Sequence, residues 1–133
     1  MLVVTHFAAT SVVAVEEEQV VGLVSAYVDP DRGDTLFVWQ VAVDASMRGR
    51  GVALGMLESL LARDNLADIR RIETTISPSN EASQSLFRRL ASRLETEMTQ
   101  QPHFDRELFG GEAHEDEHLF SIGPFNRRNN ESI

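Results

Sequence analysis

The chain has 133 residues, of which 42% are hydrophobic and 25% are charged, as expected for one soluble globular domain. It contains no cysteine and all its basic side chains are arginine, which excludes disulfides, thiolate nucleophiles and lysine Schiff bases. The net charge of −9 disfavours nucleic acid, and no apolar run approaches the roughly 20 residues of a membrane span. We therefore expect a cytoplasmic protein with no nucleic-acid or membrane partner.

Three strands are predicted in the first third of the chain. Residues 11–15 and 20–28 are rich in valine and flank a polar turn, so they predict an antiparallel hairpin. After a DPDRGD loop, residues 35–43 (TLFVWQVAV) predict a long strand that is apolar on both faces. Strands of this kind usually lie at the centre of a sheet and are covered on both sides.

A helix, a strand and a second helix follow. Leucines at helical spacing predict a helix from Val52 to about Asn65, and residues 69–77 predict the next strand. A strand–helix–strand crossover makes this strand parallel to residues 35–43. The second helix begins near Ser79 or Asn80, either of which is a suitable N-cap.

The rest of the chain is more polar. Residues 93–113 show no clear pattern, residues 118–123 (HLFSIG) predict a short strand, and residues 124–133 form a polar tail. The order of elements predicts an α+β (mixed α/β) fold. We expect one domain over residues 1–123.

A glycine-rich turn joins the long strand to the first helix. A helix N-terminus carries unpaired N–H groups, and glycines let an anion such as a pyrophosphate approach them. The dinucleotide pattern G-x-G-x-x-G is absent, and the Walker A phosphate loop of nucleoside triphosphatases would need a lysine. The turn instead fits R-x-x-G-x-A, although glycines could also ease the turn without a ligand. The residues concerned are Arg48, Gly49, Arg50, Gly51, Val52 and Ala53.

This turn resembles the coenzyme A loop of the GCN5-related N-acetyltransferases (GNAT). In that superfamily an asparagine follows the next strand, with a small residue three positions on and an aromatic residue seven positions on. Asn80, Ser83 and Phe87 stand there. The resemblance implies that Asn80 binds the pantetheine arm of coenzyme A, while the alternative is that it only caps the helix. Many members have a general-acid tyrosine where this chain has Phe87, so the acid would come from elsewhere or the thiolate would leave unprotonated.

The resemblance also gives the long strand a role. It implies a mixed, mostly antiparallel sheet that is flanked by helices and splayed at this strand. Val41 and Val43 would bind pantetheine through their backbones, and the N–H of Val41 would face the thioester carbonyl as an oxyanion donor. Trp39 would form a wall of the acceptor pocket, or alternatively belong to the core.

Further segments narrow the resemblance. FVWQVAV, SPSNEASQSLF and GGEAHEDEHLFSIGPF resemble the diaminobutyrate acetyltransferases of ectoine biosynthesis. That family implies acetyl transfer from the co-substrate acetyl-coenzyme A to the 4-amino group of L-2,4-diaminobutanoate, by direct amine attack in a ternary complex, and a homodimer. Two alternatives stay open: an N-acetyltransferase of another small amine, or a non-catalytic acyl-coenzyme-A-binding remnant. Because members begin with a further strand and two helices, we expect an N-terminally shortened form.

The sequence HEDEH at residues 114–118 fits the zinc-hydrolase pattern H-E-x-x-H. The extended pattern needs Gly and His where this chain has Ser121 and Pro124, so a third ligand is missing and we expect no metal. The resemblance instead implies that His114 and Glu117 line the acceptor pocket. Both are candidates for removing the amine proton, because a carboxylate pairs with an ammonium group and histidine titrates near neutral pH.

Overall fold

A computed structural model of the protein describes residues 2–101 and 117–126. The strands form one seven-stranded sheet in the order β1-β2-β3-β4-β5-β7-β6. Among the strands of the described residues only the β4–β5 pair is parallel, so the predicted mixed, mostly antiparallel sheet is confirmed. The strands are β1 (Leu2–Ala8), β2 (Ser11–Glu16), β3 (Gln19–Val28), β4 (Thr35–Val43), β5 (Arg71–Ile76), β6 (Met98–Gln101) and β7 (His118–Ile122). The helices are α1 (Val52–Leu61) and α2 (Glu81–Arg93).

Two strands were absent from the prediction. β1 pairs with β2 from Leu2↔Glu16 to Ala8↔Ser11, although its sequence shows no regular alternation. β6 has the polar sequence MTQQ and is an edge strand that pairs with β7. Both lie at the two ends of the sheet, where the pairing partner rather than the local sequence determines the strand.

Helix α1 ends at Leu61, four residues before the predicted end at Asn65. Ala62 caps the helix, and Arg63 is extended with φ −72° and ψ 145°. Leu66 is 2% exposed, so it continues the apolar pattern from a separate 3-10 turn. An apolar pattern shows where burial occurs but not where the backbone leaves the helix.

Helix α2 begins at Glu81, directly after one of the two predicted N-cap residues. The side-chain oxygen of Asn80 accepts a hydrogen bond from the Ser83 N–H at 3.1 Å, so Asn80 and not Ser79 is the N-cap. This bond satisfies one of the donors that the first turn of a helix leaves unpaired. The cap fixes both Asn80 and Ser83 at the same helix end.

Buried residues of both helices belong to the same core cluster as residues of β2–β5 and β7. α1 packs tightly against the sheet at Gly22, where an added Cβ would lie 2.9 Å from Cε of Met56. On the other face of the sheet the Tyr27 and Phe37 rings stack with centroids 5.4 Å apart, and Tyr27 is 48% exposed. Neither α1 nor α2 is long and apolar enough to cross a membrane.

The prediction that β4 is covered on both faces holds only in its first half. β4 is central and buried at Leu36 and Val38, but Trp39 is 58% exposed, and Gln40 and Ala42 are exposed as well. This difference follows from an irregularity in the strand itself.

Candidate functional site

β4 contains a bulge at Trp39. Ser25 on β3 pairs with Gln40, and the next residue, Ala26, pairs with Val38, so Trp39 is an extra residue in β4. A bulge bends its strand and redirects the side chains around it. It therefore turns the Trp39 side chain outward, and the residues after it are re-registered against β3.

β4 also separates from β5 on its other edge. The parallel ladder joins Thr35 to Arg71 and ends at the pair of Phe37 and Glu73. Within the described residues no β4–β5 pair follows, so a gap opens between the last six residues of β4 and the second half of β5. The hydroxyl of Thr74 donates a hydrogen bond to the carbonyl of Val38 at 2.8 Å, at the point where the gap begins.

The backbone groups of Val41 and Val43 face this gap. The Asp44 N–H donates to the Val21 carbonyl at 2.7 Å, which makes the neighbouring pair of Gly22 and Val43 a non-hydrogen-bonded pair. Pair types alternate along an antiparallel ladder, so Val41 belongs to the same kind of pair. The N–H and carbonyl groups of both valines consequently point away from β3, towards the gap.

The turn after β4 has the backbone that its glycines allow. Gly49 has φ 80° and Gly51 has φ 77°, both in the left-handed region. Gly51 is the N-cap of α1, and the first bond of the helix runs from the Gly55 N–H to the Gly51 carbonyl at 3.0 Å. The N–H groups of residues 52–54 precede this bond, so the helix itself does not use them. A helix end with N–H groups of this kind is suited to an anion.

A cleft of about 630 Å³ lies between the end of β4, this turn and the start of α2. We call it the loop cleft. Two arginines line it, and none of its described lining residues is acidic, although the whole chain carries a net charge of −9. The residues that line it are Val41, Ala42, Val43, Met47, Arg48, Gly49, Gly51, Val52, Ala53, Leu54, Asn80, Ala82, Ser83, Leu86 and Arg89.

A smaller cleft of about 110 Å³ occupies the gap between β4 and β5, and we call it the strand-gap cleft. It shares Val41, Asn80 and Ser83 with the loop cleft, so the two clefts adjoin. Its other lining residues are Val38, Trp39, Gln40, Thr74, Thr75, Ile76, Ser77, Phe87 and Glu117. A long anionic molecule in the loop cleft could thus extend its other end to the polar groups of the strand-gap cleft.

Comparison with known proteins identifies the family. The model of the acetyltransferase (GNAT) family matches residues 4–91. The chain belongs to the GNAT acetyltransferase family. The fold and the predicted family are therefore confirmed.

Several relatives within the GNAT family have names that specify the acetyl acceptor. The chain is 50% identical over 121 residues to the L-2,4-diaminobutyric acid acetyltransferase of Marinococcus halophilus. The match covers 91% of this chain and 70% of that protein. The chain is 44% identical over 119 residues to the enzyme of the same name from Shouchella clausii, covering 90% and 67%. The diaminobutyrate acetyltransferase of Paenibacillus lautus, solved with its substrate L-2,4-diaminobutyric acid and coenzyme A, has a TM-score of 0.82 at 44% identity, covering 89% and 72%.

A more distant structure shares only the fold. Nourseothricin acetyltransferase matches with a TM-score of 0.66 at 19% identity, covering 86% of this chain and 64% of that one. At this identity the likeness supports the GNAT sheet and helices but says nothing about the acceptor of this chain.

The structure places most of the residues predicted for coenzyme A in one cleft. Arg50 is an exception, because its side chain is directed to the sulfur of Met47 at 3.2 Å and lines neither cleft. Phe87 is 2% exposed and lines the strand-gap cleft rather than the loop cleft. The predicted residues in the loop cleft are Val41, Val43, Arg48, Gly49, Gly51, Val52, Ala53, Asn80 and Ser83.

The residues predicted for the acceptor are only partly described. Trp39 and Glu117 both line the strand-gap cleft, and both are exposed. The exposure of Trp39 decides against its alternative assignment to the core. His114 lies outside the described residues. No group of three or more potential metal ligands occurs in residues 2–101 and 117–126, a range that omits most of HEDEH.

Sequence reasoning missed several lining residues. Leu86 and Arg89 follow Ala82 at i+4 and i+7, so they share one face of α2 with it and extend the loop cleft along the helix. This spacing was a usable signal. Thr74 carried no such signal, because its role depends on where the ladder between β4 and β5 ends.

Proposed function

We propose that this protein transfers an acetyl group from acetyl-coenzyme A to the 4-amino group of L-2,4-diaminobutanoate. The observation that carries this proposal is the pair of adjoining clefts at the splayed end of β4, in a chain 44% identical to a structure that holds diaminobutyric acid and coenzyme A. The fold would accommodate many acetyl acceptors, so the diamino acid follows from the close relatives and not from the sheet.

The loop cleft suits coenzyme A by charge and by backbone. The free N–H groups at the start of α1 and the positive end of the helix dipole would hold the pyrophosphate. The left-handed glycines place no side chain between the phosphate and these donors, since an added Cβ at Gly49 or Gly51 would project into open space. Arg48, which lines the same cleft, adds a cation.

The pantetheine arm would run along the free edge of β4. Val41 and Val43 turn their backbone N–H and carbonyl groups towards the gap, so they can bond the amides of the arm as a neighbouring strand would. Asn80 lies opposite, in both clefts, and its side-chain nitrogen is free to donate while its oxygen caps α2.

The strand-gap cleft would receive the diamino acid. Glu117 offers a carboxylate to an ammonium group of the acceptor, and Trp39 offers an apolar and cation-binding ring face. We propose His114 as a further acceptor-binding residue on the basis of the family resemblance. Either His114 or Glu117 would take the amine proton, directly or through water.

Transfer requires a neutral amine, because an ammonium group has no lone pair. The 4-amino nitrogen attacks the thioester carbonyl carbon, and the resulting oxyanion is stabilised by the N–H of Val41. The carbon–sulfur bond then breaks, coenzyme A leaves, and the amine proton passes to the base. Phe87 cannot protonate the sulfur, but a thiol with an ordinary pKa of about 8.5 leaves readily as a thiolate. Holding both substrates in adjoining clefts supplies much of the rate.

The family resemblance also suggests a biological setting. We propose that the reaction supplies the acetylated diamino acid for ectoine biosynthesis and thus for osmoadaptation. We further propose that the protein acts in the cytoplasm as a homodimer. Gel filtration with light scattering would report the oligomeric state independently of activity.

An acceptor panel tests the proposed function. Thiol release from acetyl-coenzyme A is measured with diaminobutanoate, ornithine, lysine, spermidine and an aminoglycoside. We expect kcat/KM for diaminobutanoate to exceed that for the other amines by at least 10-fold, because a site that pairs with one ammonium group discriminates against an amine placed at another distance. A larger kcat/KM for another amine would replace the acceptor while leaving the acetyltransferase assignment intact.

Glu117 gives a sharper test of the acceptor site. Glu117→Gln removes the charge but keeps the shape, so we expect the KM for diaminobutanoate to rise about 10-fold, since a charge-assisted bond contributes roughly 1.5–3 kcal/mol. The KM for acetyl-coenzyme A should change less than twofold. Glu97→Gln is the matched control, because Glu97 is exposed and lines neither cleft. Equal effects of the two variants would remove Glu117 from the acceptor site.

A further inference from the structure

We propose that Thr74 is a positioning residue for acetyl transfer, acting through the carbonyl of Val38. The Thr74 hydroxyl donates to this carbonyl at 2.8 Å, and Thr74 is 6% exposed while Val38 is 1% exposed. The bond lies at the end of the β4–β5 ladder and next to the bulge residue Trp39. This inference rests on the function proposed above.

The orientation of Val38 explains why its carbonyl needs a partner there. Ala26, which pairs with Val38, directs its own N–H and carbonyl to Thr10 on the β2 side, at 3.1 Å and 2.6 Å. Ala26 and Val38 therefore form a non-hydrogen-bonded pair, and the carbonyl of Val38 points towards β5. In a continued parallel ladder it would accept a backbone N–H from β5, but the ladder ends one residue earlier.

The Thr74 hydroxyl substitutes for that missing ladder bond. A buried carbonyl without a partner is unfavourable, so the separation of β4 from β5 needs a donor at this point. The side chain of Thr74 supplies the donor without drawing the β5 backbone closer. The gap can then open immediately after Val38 while the carbonyl of Val38 stays paired.

Holding the backbone of Val38 in place also constrains the part of β4 that follows it. The short segment from Trp39 to Val43 has no partner on β5. Its other edge pairs with β3 from Gln40 to Val43, and the bond from Asp44 to Val21 anchors it beyond its far end. Val38 is the anchor at its near end. The β3 ladder turns the Val41 N–H towards the gap, and Thr74 holds the strand just before the bulge. Thr74 thereby adjusts the exact position of this N–H, three residues away, which stabilises the oxyanion. The glycine loop lies beyond the far anchor, so its hold on the pyrophosphate does not depend on Thr74.

Two substitutions and a control separate positioning from folding. Thr74→Val keeps the shape and removes the hydroxyl, whereas Thr74→Ser keeps the hydroxyl. Thr35→Val is the control, because Thr35 is a buried threonine in the paired part of β4 and its hydroxyl donates to Asp34 rather than to the neighbouring strand. We expect Thr74→Val to lower kcat about 10-fold, with the Kd for coenzyme A changed less than threefold. Thr74→Ser should restore kcat to within threefold, and Thr35→Val should leave kcat within twofold of the unmodified protein.

A second measurement does not depend on turnover. In proton–nitrogen correlation spectra, Thr74→Val should shift the backbone amides of Gln40 and Val41, while Thr74→Ser should leave both near their original positions. Unshifted amides in Thr74→Val would overturn the proposal even if the protein turned over no diaminobutanoate. Shifted amides with an unchanged kcat would overturn it too, because the exact position of the Val41 N–H would then not matter for the reaction. Absence of turnover in the unmodified protein, with the amide shifts as expected, would contradict the proposed function and not the positioning of Val41.

Discussion

Gly51 combines a backbone conformation with a place in the loop cleft. Its φ of 77° is unfavourable for any residue with a Cβ, and it caps α1 directly beside the free N–H groups. Gly55, one turn later, is helical and does not line either cleft, so the two glycines differ in backbone conformation and in position relative to the loop cleft.

We expect Gly51→Ala to weaken coenzyme A binding 5- to 10-fold by calorimetry, because the left-handed conformation would cost about 1–2 kcal/mol. Gly55→Ala is the matched control and should bind coenzyme A normally while gaining up to about 1 kcal/mol of helix stability. Unchanged affinity in Gly51→Ala would count against the phosphate assignment of this turn.

Arg89 is the second arginine of the loop cleft, and Arg88 beside it is exposed but does not line the cleft. We expect Arg89→Ala to raise the KM for acetyl-coenzyme A about fivefold at low salt, because coenzyme A is an anion. The difference should shrink at high ionic strength, since exposed charges are screened. Arg88→Ala provides the comparison. A similar rise in both variants would indicate a general loss of positive charge rather than a contact of Arg89.

At the residue scale, the sequence predicted the loop cleft better than the gap beside it. Arg48, Gly51 and Asn80 belong to short motifs whose chemistry is local, so their spacing was enough. The exposure of Trp39 and the bond of Thr74 arise from a bulge and a ladder end. Both depend on register between strands, which no single stretch of sequence contains.

At the element scale, the N-terminal ends of both helices lie at the candidate site. The N-terminus of α1 faces the loop cleft, and the N-cap of α2 lies where the two clefts adjoin. Asn80 was predicted either as a helix cap or as a pantetheine ligand. The structure confirms the cap, and the position of Asn80 in both clefts supports the proposed ligand role as well.

Substitution of Asn80 by residues of different capping ability separates these two roles. Asn80→Ser keeps a capping oxygen, so we expect its Tm to stay within a few degrees of the unmodified protein, while the loss of the amide N–H₂ raises the KM for acetyl-coenzyme A about fivefold. Asn80→Ala should show the same rise and also lose about 1 kcal/mol of stability. If Asn80→Ser keeps a normal KM, the asparagine serves only as a cap.

The strands were predicted as far as their own sequences determine them. The hairpin and the long central strand were predicted because their sequences are rich in valine and other apolar residues, whereas β1 and β6 at the two ends of the sheet were not predicted. The early end of α1 coincides with the Arg63 guanidinium, which donates to the carbonyls of Ala8, Ala9 and Ser11 at 2.6–3.1 Å. A contact across more than fifty residues of sequence is not visible in a helical pattern.

At the scale of the whole molecule, the charge of the loop cleft is opposite in sign to the net charge of the chain. The chain has a net charge of −9, yet the loop cleft is lined by arginines and helix-end N–H groups and by no described acidic residue. An acidic surface would repel coenzyme A in general, whereas this cleft would attract it. The same acidity would attract a diamino acid, which carries two ammonium groups in solution.

The central claim is that the two clefts together transfer an acetyl group to one nitrogen of the diamino acid. The most direct test incubates the protein with carbon-13-labelled acetyl-coenzyme A and diaminobutanoate, and follows free thiol and product by NMR. We predict one equivalent of thiol for each molecule acetylated at the 4-amino group, with no 2-acetyl product. Coenzyme A binding without thiol release, or acetylation at the 2-amino group, would contradict this account.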